Sequence, residues 1–93
     1  MTSHPNFRVQ LAAHYSLTEI DGKLVLFSKN TGDFFGLNES ALVLLKHLSD
    51  HTFEDAVKFG ISEFQVAESE LRQDILDLVQ ELESHKILKR VPL

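Results

Sequence analysis

The hydrophobic period of this chain changes once, at Leu37-Asn38, and that change limits the folds open to it. Upstream, apolar residues alternate or cluster in short runs broken by Gly, Asn and Asp. Downstream they recur every three or four positions. Asn38 is a strong N-cap residue, Glu39 places negative charge on a first helical turn, and Leu37 and Leu42 stand at the spacing of a hydrophobic staple. A strand has to end at Leu37, and a helix has to begin at Glu39.

Reading back from that border, Asp33 to Leu37 forms a third strand, entered through the turn residues Asn30-Thr31-Gly32. Lys23 to Ser28 is a second strand, whose unbroken apolar run suits a central position shielded on both faces. Asp21-Gly22, the strongest short hairpin signal, joins it to a first strand over His14 to Ile20. The result is an antiparallel meander with the third strand on an edge. Phe7, Val9 and Leu11 alternate and point to one more extended segment lying on the core. Residues 1–6 are expected to be a flexible lead-in to a single domain over 7–93.

Beyond the border, Ala41, Leu44, Leu45 and Leu48 make the stripe of a first helix that ends near Ser49-Asp50. Thr52-Phe53-Glu54-Asp55 resembles a capping box and opens a second helix, which Gly60 weakens or kinks. A third helix runs from about Glu68 to His85, with Leu71, Ile75, Leu78 and Leu82 on one stripe and Leu76 and Val79 beside it. Ile87 and Leu88 then return to the core before Pro92 stops any regular element. The expected class is α+β and winged-helix-like, a three-stranded antiparallel sheet followed by three helices.

Composition excludes several functions. With 9 basic and 14 acidic residues the net charge is −5, which disfavours nucleic acid and anionic membranes as partners. The third helix sets Glu68, Glu70, Asp77, Glu81 and Glu83 against a single arginine, the wrong sign for a DNA recognition helix. The absence of cysteine removes disulfides and thiolate chemistry. The first six residues lack a signal-peptide pattern, so a cytoplasmic location is the expectation. His47 and His51 are four apart, but a helix ending at Ser49-Asp50 breaks the geometry of a metal pair. Asp50, Glu54, Asp55, Glu68, Glu70 and Asp74 offer carboxylates for acid–base work, but helix N-termini attract acids anyway, and no pairing among them marks a catalytic site. Gly32 and Gly36 flank a strand, not a phosphate-binding turn. The reading is of a protein without catalytic residues, metal or cofactor.

The adjacent phenylalanines are the informative residues. On a strand Phe34 and Phe35 point to opposite faces, and Phe35 with Leu37 is the pair expected to face the helices. Phe34 is then either covered by Tyr15, Phe7 or a loop, or lines a groove beside the third strand and third helix. In the second case an extended peptide can add itself as a fourth strand, with main-chain bonds for affinity and pockets for specificity. The alternatives are a winged-helix DNA-binding module and a homodimer closing the sheet across a two-fold axis.

The stretch Gly32-Asp33-Phe34-Phe35-Gly36-Leu37-Asn38-Glu39-Ser40-Ala41 resembles the signature of the PqqD-like family, the peptide chaperones also called RiPP precursor recognition elements. The likeness extends upstream through Asp21 to Phe27, and downstream through Leu44, Leu45 and Leu48, Phe53 to Val57, Phe64 to Asp74, and Ile87-Leu88. It implies a non-catalytic adaptor that binds the leader segment of a ribosomally made precursor peptide as an extra strand between the third strand and third helix. The adaptor presents that precursor to a maturation enzyme such as a leader protease, cyclase or radical enzyme, in pathways to products that include lasso peptides and pyrroloquinoline quinone. Carried onto this chain, the leader-binding residues are Asp33, Phe34, Phe35, Gly36 and Leu37 on the edge and Leu71, Asp74, Ile75 and Leu78 on the helix. The chain departs from its relatives at Lys86, where many carry glycine, at Ala67, where many carry an N-cap acid, and at Ser28-Lys29.

Overall fold

The structure, a computed structural model, describes residues 6–93. The hairpin forms where the sequence predicts it: Asp21 and Gly22 both have positive φ, 53° and 78°, which sets Ile20 opposite Lys23. It joins β2 (Tyr15–Ile20) to β3 (Lys23–Ser28), and β3 pairs on its other side with β4 (Phe34–Phe35). The sheet order β2-β3-β4 leaves β4 on an edge, and three helices follow in the chain. This is the α+β arrangement expected.

Each helix begins and ends for reasons visible in the sequence. In α1 (Glu39–Asp50) the side chain of Asn38 accepts a 2.8 Å hydrogen bond from the Ala41 amide. In α2 (Phe53–Phe64) the capping box is complete: the Asp55 amide donates to the Thr52 hydroxyl at 3.2 Å, and the Thr52 amide donates to the Asp55 carboxylate at 3.4 Å. Gly60 does not interrupt α2. It marks a close approach to α3 (Glu68–Ser84), because a Cβ there would lie 2.6 Å from a methyl of Leu71. Arg72 of α3 reaches across to Glu54 with two bonds of 2.7 and 2.8 Å and also holds Glu68. These bonds, chiefly those to Glu54, raise its pKa above an already high ordinary value.

The departures noted in the sequence are resolved locally. Ala67 makes no side-chain cap, and α3 still starts at Glu68. Lys86, with φ 60°, takes the left-handed position that closes α3: its amide donates to the Glu83 carbonyl, and the Ile87 amide donates to that of Leu82. Ser28 is buried, and its hydroxyl accepts from the Thr31 amide in the turn before β4.

Two expectations need correction. Pro92 does not stand outside regular structure: β5 (Leu88–Pro92) ends on it and pairs antiparallel with β1 (Phe7–Leu11), from Leu11↔Leu88 to Phe7↔Pro92. Pro92 fits there because it sits on the last rung, where a missing donor costs little. Of the expected lead-in, residues 1–5 lie outside the described residues, while Asn6 is held, its side chain accepting a 2.9 Å bond from the Glu54 amide at the start of α2. Phe7 stacks on Phe53 with ring centres 4.9 Å apart, and Arg90 lies over its other side at 5.0 Å. The core joins Leu26, Leu45, Leu48, Phe53, Ile75, Leu82 and Ile87, so both sheets and all three helices meet in one apolar interior.

Candidate functional site

The edge at β4 is built from a turn. Gly32, at φ 77°, turns the chain after β3. The Asp33 amide donates to the Thr31 hydroxyl at 3.2 Å, while its carbonyl accepts a 2.9 Å bond from the Ser28 amide. Asp33 therefore belongs to the turn, and Gly36 and Leu37 already lead to the cap of α1. The expected five-residue strand shrinks to Phe34–Phe35.

That bond from Ser28 also sets the phase of the ladder. Hydrogen-bonded rungs alternate, so with Ser28 bonded to Asp33 the next bonded rung is Leu26↔Phe35. Phe35 turns its amide and carbonyl to β3, whereas Phe34 turns its own outward. Among the described residues no strand pairs with that side, since β1 is engaged with β5.

The two phenylalanine rings part as expected, but Phe34 goes to neither place foreseen for it. Phe35 packs against the core together with Leu37, and its ring meets His85 edge-on at 5.0 Å. Phe34 is 63% exposed and stands on the opposite face, with Phe27 its ring neighbour at 6.1 Å. Phe7 and Tyr15 pack into the core and do not cover it. A cavity of about 350 Å³ opens beside it, between Tyr15, Ser28, Asp33 and Phe35. The wall of the α3 groove nearest β4 is thus Phe35, not Phe34.

The Phe35–His85 contact places β4 beside the C-terminal end of α3. Counting back by helical turns, Glu81, Leu78 and Asp74 share the stripe of His85. Leu78 is 8% exposed, and Asp74 and Glu81 are exposed. Leu71 and Ile75, at 3% and 0%, are core residues and present no surface to a peptide in this conformation. The sequence reading had counted them among the wall residues and had not included Glu81 and His85, which share the stripe of Leu78. The spacing of seven and eleven residues from Asp74 was the signal available, and it becomes readable only once the side of α3 that meets β4 is known.

Elsewhere the reactive groups stay apart. The α1 helix ends at Asp50, and the His47 ring is sandwiched between His51 at 4.1 Å and Phe59 at 4.3 Å. Burial, followed by the neighbouring His51 charge, lowers the His47 pKa, against opposing effects of Asp55 and Asp50. Among the described residues no three metal-ligating side chains converge, and no helix is long and apolar enough to cross a membrane.

A family model described as coenzyme PQQ synthesis protein D (PqqD) matches residues 23–88, from the start of β3 to the start of β5. The chain belongs to the PqqD family. The match spans β4, all three helices and the outward-facing edge, so the PqqD signature and the open border coincide. No curated protein sequence matches the chain. Among solved structures it is similar to a lasso peptide synthetase B1 complexed with the leader peptide, at 26% identity and a TM-score of 0.76, over 88% of this chain and 98% of that one. It is also similar to TbiB1 in complex with the TbiA(beta) leader peptide, at 22% identity and a TM-score of 0.74, over 86% and 94%. At that identity the second likeness speaks for the fold alone.

Proposed function

We propose that this PqqD-family chain is a non-catalytic adaptor that binds the leader segment of a ribosomally made precursor peptide and presents it to a maturation enzyme. The leader adds a strand to β4, its groove-facing side chains meeting Phe35, Leu78 and His85 and its other side chains lying beside Phe34. One observation carries this reading: β4 lies on the edge of its sheet, with the main-chain groups of Phe34 on the side that no described strand occupies. Family membership supports it, as does the likeness to a lasso peptide synthetase B1 that holds a leader peptide. The enzyme served is of the kind that handles leader-bearing precursors: a leader protease, cyclase or radical enzyme.

Anchors matter more than backbone at such a site. Each added hydrogen bond contributes about 0.5–1.5 kcal/mol net, and each fully buried side chain about 1.5–3 kcal/mol. Ordering a flexible leader costs several kcal/mol. Two apolar anchors are therefore required, and the edge offers two receptors, one on each face of the sheet.

The deciding experiment titrates the full chain with a labelled peptide from the short open reading frame neighbouring its gene. Amide shifts are expected at Phe34 and Gly36, with the β2 edge unmoved. Leu78→Glu and the exposed variant His85→Ala should both weaken binding, Leu78→Glu at least tenfold, with melting curves reporting that each variant is folded. Shifts confined to β2, or affinity indifferent to both variants, overturn the site. A mass that doubles with concentration in the absence of peptide favours the homodimer instead, and affinity falling steeply with salt on a DNA duplex favours the DNA-binding reading.

A further inference from the structure

We propose that the segment docking at β4 is basic where it passes α3, with cationic side chains on either side of an apolar residue, held by the carboxylates of Asp74 and Glu81. The inference rests on the docking reading above and adds the charge of the ligand to it. The open edge makes the site; the acids select what enters.

The stripe of α3 that leads to His85 at the end of β4 reads acid, apolar, acid, imidazole: Asp74, Leu78, Glu81, His85. Asp74 and Glu81 are two turns apart, about 10 Å along the axis. An extended chain returns a side chain to the same face about every 6.6 Å, so two residues four apart stand about 13 Å from one another with a third between them. Long lysine or arginine side chains take up the difference and leave the central residue over Leu78.

The charges around the stripe sharpen this. Asp74, Glu81 and Glu70 of the first turn have no side-chain hydrogen bond or ion pair among the described residues, whereas the three other acids of α3 are engaged. Glu68 holds Arg72, Asp77 accepts from Gln73, and Glu83 holds Arg90. The one cation within α3, Arg72, is fixed by Glu54 on the opposite flank. Lys86, just past the helix, turns toward β1, where it lines a cavity with Gln10 and Glu83. Asp33 adds a further negative charge at the start of the edge. With a net charge of −5 behind it, the whole field favours an approaching cation.

Exposed ion pairs are weak, so each carboxylate is expected to change affinity by about two- to fivefold, and both together by about tenfold at low salt. The test uses the full chain and three labelled peptides of one alternating apolar sequence, differing only at the two groove-facing positions that flank the central residue: lysine, glutamine or glutamate. The lysine peptide should bind tightest and the glutamate peptide weakest. That order should collapse at high salt and in the Asp74→Asn, Glu81→Gln double variant, whose melting temperature should match the parent. Equal affinity for the three, with amide shifts at Phe34 and Gly36, overturns the charge inference and leaves the docking reading standing. Binding of none of them overturns the docking reading and this inference with it.

Discussion

The β1–β5 ribbon and the β4 edge are made of the same kinds of residue and meet opposite fates. In β1, Phe7, Val9 and Leu11 alternate with Arg8 and Gln10, so every apolar side chain falls on one face and that face closes on Phe53 and Leu88. In β4, Phe34 and Phe35 are adjacent, so one ring reaches the interior and the other stands in water. Period, not composition, decides which phenylalanine stabilises the fold and which is left exposed. The ribbon has five rungs and contributes to the core; β4 has two and leaves its outer side open.

The comparison breaks most visibly at its two phenylalanines. Phe7→Ala removes a ring stacked on Phe53 and should cost about 3–5 kcal/mol in denaturant unfolding, while the folded fraction binds peptide as before. Phe34→Ala should change stability by no more than about 0.5 kcal/mol yet weaken peptide binding at least tenfold. If Phe34→Ala unfolds the chain as Phe7→Ala does, the division of labour fails.

Smaller effects sharpen it by altering α3, the wall of the groove, without touching the edge. Ala67→Asp supplies the missing cap and should add about 1 kcal/mol to stability. Lys86→Gly relieves a side chain held at φ 60° and should add about 0.5 kcal/mol. Neither should shift peptide affinity. The smallest effect is a pH dependence. Because burial and His51 lower the His47 pKa below its ordinary 6.5, the unfolded chain takes up that proton first. Stability from this group is complete above pH 6.5 and falls as pH drops toward the folded-state value. Denaturation midpoints of parent and His47→Phe should diverge only in that acidic window.

Most of the fold was legible because its signals are local. Asp21-Gly22, Asn38 and Thr52 each fix a turn or a helix start through their own side chains or backbone, and helix stripes need only a period. The pairing of β1 with β5 was not legible, since it joins segments some 80 residues apart whose alternation says they are extended but not with whom. The site was half legible for the same reason. Phe35 and the open edge follow from strand alternation, and Asp74 and Leu78 lie on the stripe of α3 that leads to His85. Leu71 and Ile75 were misplaced because the core stripe and the groove stripe share Leu78, and only the contact between Phe35 and His85 separates them.

The last rung of the ribbon sets Phe7 against Pro92, so the two ends of the described chain leave the molecule side by side. A short linker could join them into a circle without disturbing a rung. Reopening that circle in the turn at Asn30-Thr31-Gly32 would deliver a new terminus next to β4, and a peptide fused there would reach the open border from within its own molecule.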